Sequence, residues 1–259
     1  MSSAATPSPK PSLPLADVLG DTWTIYKGLF SQTVVTGGLV FAALGLLDAA
    51  LAAGPANGIR LLLTLLALAL PIVGTSLVQG ALIEAVDDEH EGRRPGSIGD
   101  LYRTAWQKIW PLVGVALLTG LGVGLGLLLL VVPGMVFAVR WSLAVPVVML
   151  EHESPRAAMR RSRELVRGRG WAVFRVLANV AILSAILSFA TRFLALAMLG
   201  HDHRALATWV GVTFGGAIAT PYMSHALSVL YYRLAEPGRP VIAATAKPWG
   251  SIWDESGPS

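Results

Sequence analysis

The 259-residue chain is 54% hydrophobic and 14% charged, whereas an ordinary soluble domain has about a quarter charged residues. It contains no cysteine, which excludes disulfides, thiolate catalysis and thiolate metal sites. The formal net charge of +4 would suit nucleic acid or a membrane surface, but the basic residues lie beside long apolar stretches, which favours the membrane and argues against nucleic acid.

The first 14 residues are rich in serine and proline and lack the apolar core of a secretory signal. Their composition predicts a disordered cytoplasmic tail over residues 1–14. We expect a membrane domain over residues 15–234 and a cytoplasmic C-terminal tail over residues 235–259.

Six apolar stretches are candidates to cross the membrane, which takes about 20 residues of helix. They are residues 33–53, 61–83, 109–132, 135–150, 171–199 and 205–232. Short links join them in pairs, and the link between the third and fourth is Pro133-Gly134, which is typical of a tight, helix-breaking turn. The sequence therefore predicts an all-α polytopic membrane protein with six transmembrane helices arranged as three hairpins.

A more polar segment precedes each hairpin, at residues 15–30, 98–110 and 156–169. At 100° per residue each segment separates into an apolar and a polar arc, as in amphipathic helices that lie at the membrane surface. The first two also match locally, since LGDTW at 19–23 parallels IGDLY at 98–102. We interpret the chain as three copies of one topological unit, an interfacial amphipathic helix followed by a hairpin.

The distribution of Lys and Arg predicts the orientation. Sixteen of the 20 lie on the side of the termini and the two long links, and the other four are Arg60, Arg140, Arg192 and Arg204. Because positively charged links stay in the cytoplasm during insertion, both termini are expected to be cytoplasmic. The expected location is a bacterial-type inner membrane.

The densest positive charge lies in the third polar segment. Arg160, Arg161, Arg163 and Arg167 are candidate contacts for anionic lipid headgroups. The alternative is that these arginines only fix the topology.

Arg140 lies inside the fourth apolar stretch, where a charge is costly and is usually paired or directed into a cavity. Asp48, expected near the same face of the membrane, is its candidate partner, and the pair could line a polar pathway. The alternative is that Arg140 extends outward to the membrane surface beside Trp141.

Small and polar residues inside the other stretches suggest packing rather than chemistry. Alternating glycines in the third stretch include two GxxxG spacings, which predict close helix contacts; they are Gly120, Gly122, Gly124 and Gly126. His225 is expected to hydrogen-bond to a neighbouring helix. We find no nucleophile or phosphate-loop motif and predict no catalytic residue, no metal site and no cofactor.

The run from residue 131 to 151 and the run from residue 154 to 171 resemble the membrane domain associated with some bacterial glycerophosphoryl diester phosphodiesterases. Residues that fit the family pattern are Pro133, Gly134, Arg140, Trp141, Pro146, Glu151, Ala158, Ser162, Leu165, Val166, Gly168 and Trp171, with Trp23, Tyr26, Tyr231 and Tyr232 outside these runs. Arg163 stands where the family usually has Trp, and Arg233 where an acidic residue is commoner. The separate catalytic barrel of the phosphodiesterases has no counterpart in this sequence, so the resemblance implies a membrane module and gives no support for hydrolase activity.

The leading hypothesis is a non-catalytic six-span protein that binds or organises anionic membrane lipids, or that scaffolds a membrane protein partner at the cytoplasmic face. The alternative is a transporter, permease-like subunit or channel that uses the broken hairpin and Arg140. An intramembrane enzyme is the third hypothesis, and it is disfavoured because no reactive constellation is present.

Overall fold

The computed structural model describes residues 13–53, 58–93, 96–200 and 203–241. Within these ranges the regular secondary structure is helical, without strands. The helices are α1 (Leu15–Gly28), α2 (Phe30–Ala53), α3 (Gly58–His90), α4 (Ile98–Gln107), α5 (Ile109–Leu129), α6 (Val131–Trp141), α7 (Ala144–Leu150), α8 (Pro155–Val166), α9 (Gly170–Leu199) and α10 (Arg204–Ala235). The all-α fold class is confirmed for this part of the chain, while most of both predicted tails lies outside the described residues.

Five segments in the described ranges are long and apolar enough to cross a membrane, and they are Thr33–Leu51, Arg60–His90, Ile109–Leu129, Val131–Leu150 and Gly170–Leu199. The chain is therefore a multi-pass membrane protein. The sixth predicted crossing lies in α10, which is not among the five. Polar residues such as Ser224, His225 and Ser228 make this helix less apolar than the others, so the sixth crossing stays a prediction.

The break between α5 and α6 falls earlier than the sequence suggests. Leu130 has an extended backbone, with φ −161° and ψ 144°, and α6 begins at Val131. The predicted break at Pro133-Gly134 is wrong by three residues, because Pro133 lies in the first turn of α6. The N–H groups of a first turn have no partner inside the helix, so a proline there costs no hydrogen bond. Gly134 instead allows close contact with α5, since a Cβ there would lie 2.7 Å from the backbone nitrogen of Leu127.

The fourth apolar stretch contains a second break, between the end of α6 at Trp141 and the start of α7 at Ala144. A side chain from α8 satisfies the backbone at this break. The N–H of Leu143 donates to Ser162 Oγ at 3.1 Å, and the Ser162 hydroxyl donates to the carbonyl of Arg140 at 2.9 Å. Because Ser162 is fully buried, this contact fixes α8 against the break.

Exposed and buried apolar residues separate into two halves of the molecule. Exposed large apolar side chains cover the first half of α3 and the second halves of α5 and α9, for example Leu68, Leu128 and Phe189. The main core instead surrounds the C-terminal halves of α3 and α10. Each of the three predicted amphipathic helices buries one face in this core, through Val18 and Ile25 of α1, Leu101 and Ala105 of α4, and Ala158 and Val166 of α8.

Candidate functional site

Four arginines form an exposed row along α8 and the residue that follows it. Arg156, Arg160, Arg163 and Arg167 are spaced four, three and four residues apart, which places them on one face at 100° per residue. All four are exposed, and in the described ranges none has a carboxylate within 4.0 Å. We call these four residues the arginine stripe.

Arg161 lies on a different face of α8 and makes protein contacts. Its Nε lies 3.0 Å from both carboxylate oxygens of Glu151, and Tyr231 of α10 donates its hydroxyl to the same carboxylate at 3.0 Å. Three of the four predicted lipid contacts thus lie in the stripe, whereas Arg161 connects α8 to the core. Arg156 takes the fourth place, and the four-residue spacing from Arg156 to Arg160 was the signal in the sequence that could have identified it.

A groove of about 1000 Å³ lies between α6, the end of α8 and the start of α9. Its volume is in the range of small-molecule sites, roughly 300–1,000 Å³. The side chains that line it differ in character along its length, with Arg140, Arg163, Glu164 and Arg167 among the charged ones and Val132, Met135, Val136, Val139 and Phe174 among the apolar ones.

The structure does not bring Asp48 and Arg140 together. Asp48 lies on α2, which packs against α3 and α10, and no ion pair joins the two residues in the described ranges. Arg140 is exposed and lines the groove with Arg163. The reason is the contact between Ser162 and the α6–α7 break, which holds the end of α6 beside α8 and so beside the stripe.

A second polar cluster lies at the C-terminal end of α3. Arg93 pairs with Asp88 at 2.9 Å, with Asp87 at 3.4 Å and also with Glu91, and the hydrogen bond to Asp88 raises the pKa of Arg93. Tyr232 of α10 donates its hydroxyl to Asp87 at 2.5 Å. Arg93 thus offsets part of the negative charge of this acidic segment, and the neighbouring Arg94 lies outside the described residues.

Lys108, at the junction of α4 and α5, is partly buried beside these carboxylates. Its ammonium group donates to the carbonyl of Met149 at 2.6 Å. Burial lowers the pKa of Lys108, and the nearby charges of Glu84 and Asp87 oppose that shift. This cation belongs to the packed core and not to the exposed stripe.

His225 is fully buried in α10, and its ring lies 6.2 Å from that of Tyr26, centroid to centroid. Neither ring nitrogen has a hydrogen-bond partner in the described ranges. The hydrogen bond expected from the sequence is thus not found. No group of three or more His, Asp or Glu side chains able to hold a metal ion occurs in the described part of the chain.

Comparison with known proteins gives one family match. Residues 112–231 match the family described as the membrane domain of glycerophosphoryl diester phosphodiesterase, which confirms the resemblance drawn from the sequence. The matched region contains the groove, Ser162 and the stripe. No curated protein and no solved structure matches the chain.

Proposed function

We propose that this chain, which carries the membrane domain of the phosphodiesterase family, is a non-catalytic membrane protein that binds anionic lipid and can thereby organise lipid or a partner protein at the cytoplasmic face. The observation that carries the proposal is the arginine stripe. Four exposed guanidinium groups, which have no carboxylate partner among the described residues, form a concentrated positive surface. Each basic side chain near an anionic leaflet contributes roughly 1 kcal/mol.

The proposal includes six membrane crossings arranged as three hairpins, in a bacterial inner membrane with both termini cytoplasmic. Five apolar segments support it. The sixth, α10, has 32 residues, and at 1.5 Å per residue its length of about 48 Å exceeds the hydrocarbon thickness of about 30 Å. The excess of Lys and Arg in the long links supports the orientation.

Exposed tryptophans support a position of α1, α4 and α8 at the membrane surface. Trp is enriched where membrane meets water, because its ring is apolar and its N–H is polar. Trp23 of α1, Trp106 of α4 and Trp171 in the first turn of α9, which follows α8, are each more than half exposed. We propose that these helices pack one face against the core and present another to lipid headgroups.

A comparison of anionic with zwitterionic lipid tests the proposed function. The full chain, purified in detergent, is mixed with phosphatidylglycerol or with phosphatidylcholine, and the unfolding midpoint Tm is measured. We expect phosphatidylglycerol to raise Tm more than phosphatidylcholine does, because a ligand that binds the folded state stabilises it. Replacement of all four stripe arginines by glutamine should remove most of this difference.

The matched control replaces the same four arginines by lysine, which keeps the charge at the same positions. The lysine variant should retain most of the preference for phosphatidylglycerol. If the glutamine variant keeps the full wild-type difference between the two lipids, the proposed function is wrong.

The transporter alternative has less support. The fourth stretch is discontinuous, as helices in transporters often are. Of the three residues that would have to line a pathway, Arg140 lies in the groove beside α8, His225 is fully buried in α10, and Asp48 is not paired with Arg140. No specific observation favours transport over lipid binding.

A further inference from the structure

The groove beside the stripe has both charged and apolar lining residues, as a phospholipid site requires. The inference drawn from it rests on the proposed function. We infer that the groove binds one anionic diacyl phospholipid. The phosphate lies against Arg140, Arg163 and Arg167, and one acyl chain lies along α6.

The polar end of the groove combines charges from two elements. Arg140 comes from α6, while Arg163 and Arg167 come from α8 and its end. The hydrogen bonds of Ser162 join these two elements, so the three cations share one opening. With Glu164 as the acidic group on the same lining, the opening carries a net charge of +2, three arginines less one glutamate. Guanidinium groups suit a phosphate because their planar N–H donors match its oxygens.

The apolar end follows α6 away from Arg140. Val136, Met135 and Val132 lie successively farther along the helix and all remain exposed. The eight residue steps from Arg140 back to Val132 span about 12 Å. The opposite wall includes Phe174 of α9, whose ring stacks on that of Trp171 with centroids 5.2 Å apart. An acyl chain can therefore lie between two apolar walls.

This arrangement distinguishes binding of one lipid in the groove from general electrostatic attraction to the membrane. Arg156 and Arg160 belong to the stripe but do not line the groove. They attract any anionic headgroup, whereas the groove offers a cationic opening and an apolar wall to the same molecule. A phospholipid satisfies both ends, while free phosphate satisfies only the cationic end.

Native mass spectrometry of the full chain tests the inference. The protein is loaded with phosphatidylglycerol, exchanged into detergent, and the lipids retained per chain are counted. We expect one retained phosphatidylglycerol in the wild type. Val136→Trp, whose larger side chain fills the apolar end of the groove, should lower the occupancy of phosphatidylglycerol at least tenfold. Leu128→Trp is the matched control, because Leu128 is 83% exposed on α5 and is not part of the groove lining.

Two further variants distinguish the groove from the stripe. Arg140→Gln should also lose the retained lipid, and it keeps the test decisive if Val136→Trp folds poorly. The double variant Arg156→Gln with Arg160→Gln should keep the retained lipid, although it weakens the general preference for phosphatidylglycerol in the Tm measurement.

Competition by inorganic phosphate tests the apolar contribution. Phosphate at the same concentration as the lipid should not displace it, and displacement would overturn the inference. Wild-type occupancy in both Val136→Trp and Arg140→Gln would also overturn it. Either failure would leave the proposed function standing if the stripe still determined the lipid preference.

Discussion

Ser162 is a fully buried serine on a helix whose exposed face is mostly arginine. Its hydroxyl accepts from Leu143 and donates to the carbonyl of Arg140. An interrupted helix leaves backbone groups without internal partners, and in a buried position each such group must find another partner. One side chain therefore makes the break between α6 and α7 tolerable and places Arg140 beside the stripe.

Replacement of Ser162 by alanine should destabilise the protein by about 1–3 kcal/mol, because the buried N–H of Leu143 loses its acceptor. Thermal unfolding in detergent measures the change. Ser142→Ala is the control, since the Ser142 hydroxyl donates to the carbonyl of Val139 within the end of α6 and its loss leaves no N–H unpaired. An equal effect of the two substitutions would contradict the role given to Ser162.

At the residue scale, the sequence identified the arginines that form the positive surface, but it did not identify the residue that contacts Arg140. Arg163 and Arg167 were correctly grouped, because helical spacing is visible in one segment. Asp48 was expected to pair with Arg140 because both were assigned to the same side of the membrane. The hydrogen bond to the Arg140 carbonyl comes from Ser162, 22 residues away in sequence, and no local sequence pattern predicts it.

The hairpin of α5 and α6 is formed by close contact at particular glycines. A Cβ at Gly126 would lie 2.8 Å from Gly134 Cα, and a Cβ at Gly122 would overlap the Trp141 ring. Among the described residues, nothing lies within 4 Å of a Cβ placed at Gly120 or Gly124. Only alternate glycines of the series therefore pack in this hairpin.

Gly126→Ala and Gly124→Ala form a matched pair in one helix. We expect Gly126→Ala to destabilise the protein by about 1–3 kcal/mol, because backbone atoms of Gly134 obstruct the added methyl group. Gly124→Ala should be neutral or stabilising by up to about 1 kcal/mol, because alanine favours the helix and meets no obstacle. Chemical unfolding in mixed micelles measures both, and the reverse order of stability would contradict the described packing.

Helix positions were predictable where long apolar stretches determine them, as in α2, α5 and α9. The break at Leu130 was misplaced because Pro133-Gly134 is a strong turn signal in sequence, although proline is equally suited to the first turn of a helix. The break before α7 has a local signal in Pro146, which lies in the first turn of α7. Its satisfaction by Ser162 of α8 is a tertiary contact, which the local sequence does not contain.

In one half of the molecule the helices expose large apolar side chains, and in the other half they pack around the main core. The 33 residues of α3 and the 32 of α10 make helices of about 50 and 48 Å, longer than the hydrocarbon core of about 30 Å. Their C-terminal halves are packed by α1, α4, α7 and α8. The apolar arcs of α1, α4 and α8 were visible in the sequence. A helix whose apolar arc packs against protein has the same sequence pattern as one whose arc contacts lipid, so the packed half could not be predicted from the sequence.

The proposed membrane topology depends most on which side of the membrane holds the stripe and the end of α10. Because the chain has no cysteine, single cysteines introduced at exposed positions report on each side without interference. Suitable positions are Glu153, just before α8, His203, just before α10, and Arg239, just after it.

Labelling of these three variants with a membrane-impermeant maleimide in spheroplasts is the most direct test. We expect His203→Cys to react in intact spheroplasts, and Glu153→Cys and Arg239→Cys to react only after the membrane is opened. Reaction of Arg239→Cys in intact spheroplasts would contradict the sixth crossing by α10, and reaction of Glu153→Cys would contradict a cytoplasmic arginine stripe.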